Sequence, residues 1–418
     1  MNLAQWLSWI KSVHHKEVDL SLERVFQVAE KLELLEPSCT VVTVAGTNGK
    51  GSCVAGLEAI MLAANYKTGA FTTPFIWNYN EQIRLQGLPV VDEVLCKAFE
   101  EVQKASGLIT LTPFEFGTLA ALVIFKKAKL DIWILEVGMG GRYDAVNIIS
   151  ADVAIIASIG IDHVNWLGHT REAIAYEKAG VFRTNKPAIY GDFQPPLSVL
   201  SYAHALKTPV FFQGQQFGFA EKDKAWSWWS EQTTFDNLPL PRLGLQNMST
   251  VLMAIELLKN RLPVSYSAID LSLKKVFLPG RIQVVPGEVT RILDVSHNPA
   301  AVEFLAEYLR KNSCTGKTYA VFSMLADKDI VNTIRVIQDL IDHWYVAPLT
   351  TERKASSEIL TACFQKCNLN NVNFCSTIKV AEKLAMQQIV TKSNYLGEDE
   401  HHRLVVFGSF HTVAEVSS

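Results

Sequence analysis

The chain has 418 residues, with 39 Lys and Arg against 42 Asp and Glu and a formal net charge of −3. That length implies two or three domains at roughly 150 residues each, and 49% hydrophobic with 19% charged residues excludes a disordered chain. The near balance of charge, with no basic run, excludes the electrostatic footprint of a dedicated nucleic-acid binder; no stretch approaches the ~18 apolar residues of a membrane span.

The first forty residues read as helix, with Leu20, Val25, Val28, Ala29 and Leu32 at helical spacing. Thr40-Val41-Val42-Thr43-Val44 is a short β-branched strand ending in a glycine-rich turn, and residues 53–64 are helical again. Strand, glycine loop and helix make the first half of a βαβ unit. Residues 116–127 predict a helix, and residues 131–137 and 152–157 predict buried strands, the latter followed by a helix near 172–179. Such alternation indicates a doubly wound, mainly parallel α/β sheet, whose strand carboxyl ends gather side chains in one crevice.

Between 205 and 242 the texture changes to short aromatic β segments, and Trp226, Trp228 and Trp229 are expected in a hairpin packed on the sheet. Leu278-Pro279-Gly280-Arg281 reads as a hinge, and a second alternating pattern runs from Arg291 to Gly408. The expected architecture is a P-loop-type α/β domain over 1–282 and a smaller Rossmann-like α/β domain over 283–418. Seven cysteines, an odd number, are too few for a disulfide framework, and Cys363, Cys367 and Cys375 read as buried or half-buried thiols. The N-terminus has no basic region leading into an apolar run, so no signal peptide is expected and a reducing cytoplasm is the natural compartment.

The sharpest local signal is Gly46-Thr47-Asn48-Gly49-Lys50-Gly51-Ser52, set between a strand and a helix. Glycines let backbone N–H groups approach phosphate oxygens, the helix N-terminus adds partial positive charge, and Lys50 adds a full one. Gly51 separates lysine from serine, so the spacing is not the standard Walker pattern. Glu136 closes one predicted strand and Asp162-His163 follow the next, a carboxylate and an imidazole suited to Mg²⁺ beside a phosphate loop. Asp294-Val295-Ser296-His297-Asn298-Pro299 joins a strand to a helix, with Pro299 near its first position; helix capping alone accounts for much of it. The His14-His15 and His401-His402 pairs are expected to be solvated.

In order along the chain come the 46–52 loop, Glu136-Val137-Gly138-Met139-Gly140-Gly141-Arg142-Tyr143-Asp144-Ala145-Val146-Asn147, Glu177-Lys178-Ala179-Gly180, Pro279-Gly280-Arg281 and His297-Asn298-Pro299. This series resembles the folylpolyglutamate synthase branch of the Mur ligase superfamily over nearly the whole chain. The resemblance implies an ATP-dependent amide ligase that adds L-glutamate to dihydropteroate and to the γ-carboxyl of reduced folates through an acyl phosphate. ATP and Mg²⁺ are implied, with a monovalent cation such as K⁺ as a further candidate; the partners are small molecules, with neither nucleic acid nor membrane, and a monomer is expected.

By the same resemblance Thr47, Asn48, Gly49, Lys50, Gly51 and Ser52 hold the ATP phosphates, and Asn247, Arg281 and Asp294 contact the nucleotide. Thr73, Glu136 and His163 occupy metal-ligand positions, and Lys178 matches a lysine carried as a carbamate. Glu17, Val18, Asp19, Leu20, Thr112, Pro113, Phe114, Glu115, Tyr143, Asp144 and Ala145 align with pterin contacts, while His297, Ser409 and His411 are assigned to the glutamate side. The chain has Thr73-Pro74-Phe75 where the family often has Ser-Pro-His: the hydroxyl survives and the histidine does not. It reads Asp294-Val295-Ser296-His297 where many members have Asp-Gly-Ala-His, and Gln246 directly precedes Asn247. A monofunctional folylpolyglutamate synthase, a Mur-type cell-wall amino-acid ligase and a catalytically silent nucleotide binder are the alternatives.

Overall fold

In a computed structural model, which describes residues 1–396 and 401–417, the chain forms two units, Met1–Phe277 and Leu278–Ser418. The first unit is built on eight strands: β1 (Thr40–Ala45), β2 (Thr68–Phe71), β3 (Ile83–Leu85), β4 (Leu88–Pro89), β5 (Ile132–Glu136), β6 (Val153–Ile156), β7 (Ala188–Tyr190) and β8 (Val210–Phe212). Their order is β4-β3-β2-β5-β1-β6-β7-β8, parallel from β2 to β8, with β3 and β4 added antiparallel at one edge. Strand β1 lies between β5 and β6, and Val44 sits in register with both Glu136 and Ile155. The chain therefore reverses direction across the sheet at β1, and the loops leaving β1, β5 and β6 open on one crevice.

All of β1 and β5 is buried, as expected of strands covered on both faces. One apolar cluster joins Trp6, Val25, Phe99, Phe116 and Trp133; a second joins Ala45, Ile156, Ile174, Phe182 and Tyr190. The helix Pro113–Ala128 is buried at every residue from Glu115 to Phe125, so it is apolar all round rather than on one stripe.

The first forty residues are not continuous helix. Two helices, Leu3–Val13 and Glu23–Lys31, flank a loop that contains Leu20. The loop is held by polar contacts that helical periodicity does not register: Asp19 lies 3.3 Å from the Arg24 guanidinium and 3.5 Å from His14. The phosphate-loop helix, Lys50–Ala63, starts three residues before its expected position, taking Lys50, Gly51 and Ser52 into its first turn.

The aromatic segment forms its own antiparallel sheet of β9 (Phe217–Lys222), β10 (Ala225–Ser230) and β11 (Thr234–Pro239), not a hairpin on the main sheet. Trp228 is fully buried and its indole N–H donates to the Ser249 carbonyl on the helix Leu245–Leu258 at 3.1 Å. The histidine pairs are split rather than solvated. His14 is buried and bonded to Thr110 Oγ1 at 2.9 Å, and His402 is buried and accepts the Lys317 amide at 2.8 Å, while His15 and His401 are exposed.

The second unit holds β12 (Gln283–Val285), β13 (Thr290–Leu293), β14 (Thr318–Phe322), β15 (His343–Val346), β16 (Val372–Phe374) and β17 (Arg403–Phe407). Their order is β12-β13-β17-β14-β15-β16, parallel except for β12, over a core that includes Phe322, Trp344, Phe364 and Phe407. No helix among the described residues is long and apolar enough to cross a membrane.

Candidate active site

The loop after β1 carries the glycine-rich motif, and its shape is set by contacts from the segment that follows β6, which the sequence did not announce. Thr47 donates its amide to the Ser158 carbonyl at 2.8 Å, and its hydroxyl bridges Gly160. Ser158 Oγ accepts the Asn48 amide and donates to the Asn48 carbonyl, at 3.2 and 3.0 Å. Gly49 caps the helix at φ +83, and a Cβ there would stand 2.4 Å from Asn247 Oδ1. Only glycine satisfies both the left-handed backbone and that approach. Asn247 is thereby fixed against the phosphate loop from the first turn of Leu245–Leu258.

Two lysines converge on one acceptor. Lys50 Nζ donates to the Gly46 carbonyl at 3.1 Å, and Lys178 Nζ donates to the same oxygen at 2.9 Å. Lys178 is 4% exposed. Burial, reinforced by the like charge of Lys50, lowers its pKa from 10.5 to about 7. The neutral form, which reacts as a nucleophile, therefore gains ground as the pH rises through about 7.

Glu136, at the end of β5, is buried and its Oε2 accepts the Thr73 amide at 3.2 Å. His163 adopts φ +51 at the start of the short helix Val164–Leu167, next to Asp162, whose carboxylate accepts the His163 amide. Among the described residues no group of three or more His, Cys, Asp and Glu side chains forms a ready metal cage. The candidate set depends on the Thr73 hydroxyl, one carboxylate and one imidazole, and leaves room for phosphate or water oxygens. That suits Mg²⁺, which keeps much of its shell from substrate and solvent.

The two motifs around residues 138–147 and 177–180 are one packed assembly. A Cβ at Gly141 would come within 2.8 Å of the Glu177 carbonyl, so the glycine is needed for the backbone to approach the helix Arg171–Ala179. Arg142 completes the clamp. Its amide donates to the Glu177 carbonyl at 2.9 Å, and its guanidinium donates to the Tyr176 carbonyl and the Tyr202 hydroxyl. The guanidinium also lies 4.3 and 4.8 Å from the centres of the Tyr176 and Tyr202 rings. Asp144 is buried, accepts the Met139 and Val146 amides, and has its carboxyl pushed up to about 6 by burial. Ala145 is buried beside it, whereas Tyr143 is half exposed.

The residues aligned with pterin contacts fall into two kinds. Thr112 and Glu115 are buried and form a capping box, with Thr112 Oγ1 accepting the Glu115 amide and Glu115 Oε2 the Thr112 amide; Pro113 occupies the first turn. Glu115 also takes Arg24 at 2.9 Å, and Arg24 in turn reaches Asp19, so the 14–22 loop is tied to this helix. The Phe114 ring packs against Phe71 and faces Gly138. Glu17 is exposed, and Val18 and Leu20 are half-buried.

In the second unit, β13 and β17 deliver the remaining candidates. Asp294 is 2% exposed and its two carboxylate oxygens accept the Ile282 and Ser296 amides at 2.8 and 2.9 Å. Ser409 Oγ accepts the His411 and Thr412 amides, and Asn298 caps the helix Pro299–Lys311. Arg281 lies 5.0 Å from the Phe410 ring centre, and the His297 ring lies 6.1 Å from it. Arg281, His297, Ser409 and Phe410 are thus grouped; the His411 side chain is exposed. Sequence reasoning missed Ser158 and gave Arg142 no role. Ser158 had no signal beyond its place after a strand, and Arg142 had only its place inside a glycine motif.

Comparison with known proteins places the two units in one family. Residues 44–192 match the Mur ligase middle domain, and residues 280–410 match the Mur ligase glutamate ligase domain. The chain is 41% identical over 414 residues to a dihydrofolate synthase/folylpolyglutamate synthase of Escherichia coli K12, covering 99% of this chain and 94% of that one. Its structure is similar to that of E. coli FolC in complex with DHPP and ADP, with a TM-score of 0.92, 40% identity and coverage of 100% and 97%. It is also similar to a bifunctional folylpolyglutamate synthase/dihydrofolate synthase with Mn, AMPPNP and L-glutamate bound, with a TM-score of 0.91, 41% identity and the same coverage.

Proposed function

Because the chain belongs to the dihydrofolate synthase/folylpolyglutamate synthase family of Mur ligases, we propose that it joins L-glutamate to dihydropteroate, and to the γ-carboxyl of reduced folates, at the expense of ATP. A bare carboxylate is a poor electrophile. Transfer of the γ-phosphoryl group of ATP to it makes an acyl phosphate; the glutamate amine then attacks the acyl carbon, and phosphate leaves with the carboxyl oxygen.

The observation that carries this reading is the convergence of Lys50 and Lys178 on the Gly46 carbonyl, in a glycine loop one strand away from buried Glu136. Residues 47–52 cradle the phosphates, and Lys50, released from Gly46, offsets the charge that moves during transfer. Thr73, Glu136 and His163 would hold Mg²⁺, which would supply positive charge at the transferring phosphate. Lys178 is the carbamate site: its neutral amine nitrogen adds to the carbon of CO₂ and gives up one proton to solvent, and the resulting anion gives Lys50 an attractive neighbour where a protonated Lys178 would repel it. Asn247 contacts the nucleotide beside Gly49. The first unit binds ATP and the pterin acceptor. In the second, Arg281 and Asp294 serve the nucleotide and His297, Ser409 and His411 the incoming glutamate.

The test is phosphate release by the purified protein with Mg²⁺-ATP and L-glutamate, with dihydropteroate and a reduced folate supplied separately and products weighed by mass spectrometry. One added glutamyl unit on each acceptor is expected. Addition to a single acceptor assigns the enzyme to one step, and addition to neither refutes the ligase reading.

A further inference from the structure

Glu81 stands outside every motif discussed above, yet its carboxylate accepts three consecutive backbone amides. Oε2 takes Ile76 N–H at 2.8 Å, and Oε1 takes Trp77 and Asn78 N–H at 3.0 and 2.7 Å. The spacing Asn78-Tyr79-Asn80-Glu81 is that of a capping box for the short helix Tyr79–Gln82, and a capping box needs only the Asn78 amide. The other two amides lie upstream of the helix, in a loop that begins at Thr73.

That loop is pinned at both ends by carboxylates, since the Thr73 amide donates to Glu136 at 3.2 Å. The Glu81 end is anchored in turn. Arg84 donates to the Glu81 carbonyl at 3.3 Å and to Thr72 Oγ1 at 3.0 Å, and it pairs at 2.8 Å with buried Glu58 on the phosphate-loop helix. Between the pins, Phe75 and Trp77 remain 40% and 37% exposed. Phe75 rests edge-on against Tyr79, which packs on Phe99 and whose hydroxyl abuts Gly117. Large aromatic side chains left this exposed on a backbone this tightly tied are presented, not merely uncovered.

We propose that Glu81 is a positioning residue for the acceptor side of the reaction: it presets residues 75–78 so that the exposed rings of Phe75 and Trp77 are held ready for the flat conjugated acceptor, while Thr73 is tied separately to Glu136. The inference rests on the ligase reading above. Its physical content is preorganisation. Three charge-assisted hydrogen bonds fix a loop that would otherwise have to be ordered at the expense of acceptor binding. Nucleotide binding, which depends on the 46–52 loop, is left untouched.

The experiment uses the full chain with Glu81→Ala and Glu81→Gln, the amide keeping one acceptor oxygen of the two. Acceptor KM for dihydropteroate is expected to rise about tenfold in Glu81→Ala and about threefold in Glu81→Gln, with ATP KM within about twofold in both. Deuterium exchange at 76–78 should quicken in the same order, with the 46–52 loop unchanged. Faster exchange at 76–78 with unaltered acceptor KM and kcat reduces Glu81 to a structural cap and overturns the proposal, as does an ATP KM that rises in step with acceptor KM. If Glu81→Ala does not fold, Glu81→Gln alone carries the same KM comparison. Failure of the ligase reading shows separately, as absence of glutamate transfer by the unaltered enzyme.

Discussion

The two units treat their buried polar residues differently. Around the 46–52 loop of the first, burial falls on charges: Lys178, Glu136 and Asp144 are each at most 4% exposed, and two of them are driven from their ordinary ionisation. At the ends of β13 and β17 in the second, burial falls on turn-makers. Asp294, Asn298 and Ser409 direct their oxygens at backbone amides two to twelve residues away. Stored charge readies a site for ionic ligands; satisfied amides hold a loop in shape around exposed ones. Substitutions in the first should therefore act chiefly on turnover and on pH dependence, and those in the second on stability.

The largest effect is expected at Lys50. Lys50→Ala should lower kcat for phosphate release by about 10²–10³-fold or more with little loss of stability; an unchanged rate would refute the phosphate-loop assignment. Lys178 comes next. Its neutral fraction grows as pH rises through about 7, so turnover at limiting bicarbonate should climb across that value, and added bicarbonate should raise it most above pH 7. The same shift predicts a stability signature. The unfolded chain, with a lysine near 10.5, binds more protons than the native one between pH 7 and 10.5, so ligand-free stability should rise across that window. Lys178→Met should flatten the rise, by an amount on the order of 2–4 kcal/mol over the window, read from urea midpoints at several pH values.

Arg142 tests whether the first site also depends on the packing that holds its two motifs together. Arg142→Lys keeps the charge but loses the forked donors and the fit between two rings; it should cost about 1–2 kcal/mol in thermal unfolding and lower kcat about tenfold by loosening the approach to Lys178. A stability loss without a rate effect would confine Arg142 to packing. The smallest effect is expected at Asp294. Asp294→Asn keeps one acceptor for two amides and should cost about 1–2 kcal/mol, measured by chemical denaturation. A cost well below that, with a large rise in ATP KM, would mean that Asp294 serves the nucleotide directly rather than through the turn it holds, and would erase the contrast between the units.

Much of this molecule was legible because local physics wrote it. Buried parallel strands read as continuous apolar runs, and β1, β5, β6 and β14 fall where the runs do. The glycine loop announced its strand-to-helix setting, whereas the helix expected from 116 begins at Pro113, because Thr112 and Glu115 cap it with each other's amides. The break at 14–22 was hidden because Leu20 continues a helical period by coincidence, while His14, Asp19, Arg24 and Glu115 hold the loop through contacts up to 91 residues apart. The aromatic sheet β9–β11 was recognised as β, but its partner, the Ser249 carbonyl on a helix, lies 21 residues on.

By itself the sequence determined the alternation of buried strands with helices, the phosphate loop and the family resemblance, because periodicity, glycine placement and motif spacing are local properties of the chain. Only the tertiary structure decided that Ser158 latches the loop, that Lys50 and Lys178 share one carbonyl oxygen, that Arg142 sits between two tyrosines and that Glu81 gathers three amides. Each of those depends on burial and on hydrogen bonds whose partners the fold selects. A lysine near 10.5 becomes one near 7 only when packing removes the water from around it.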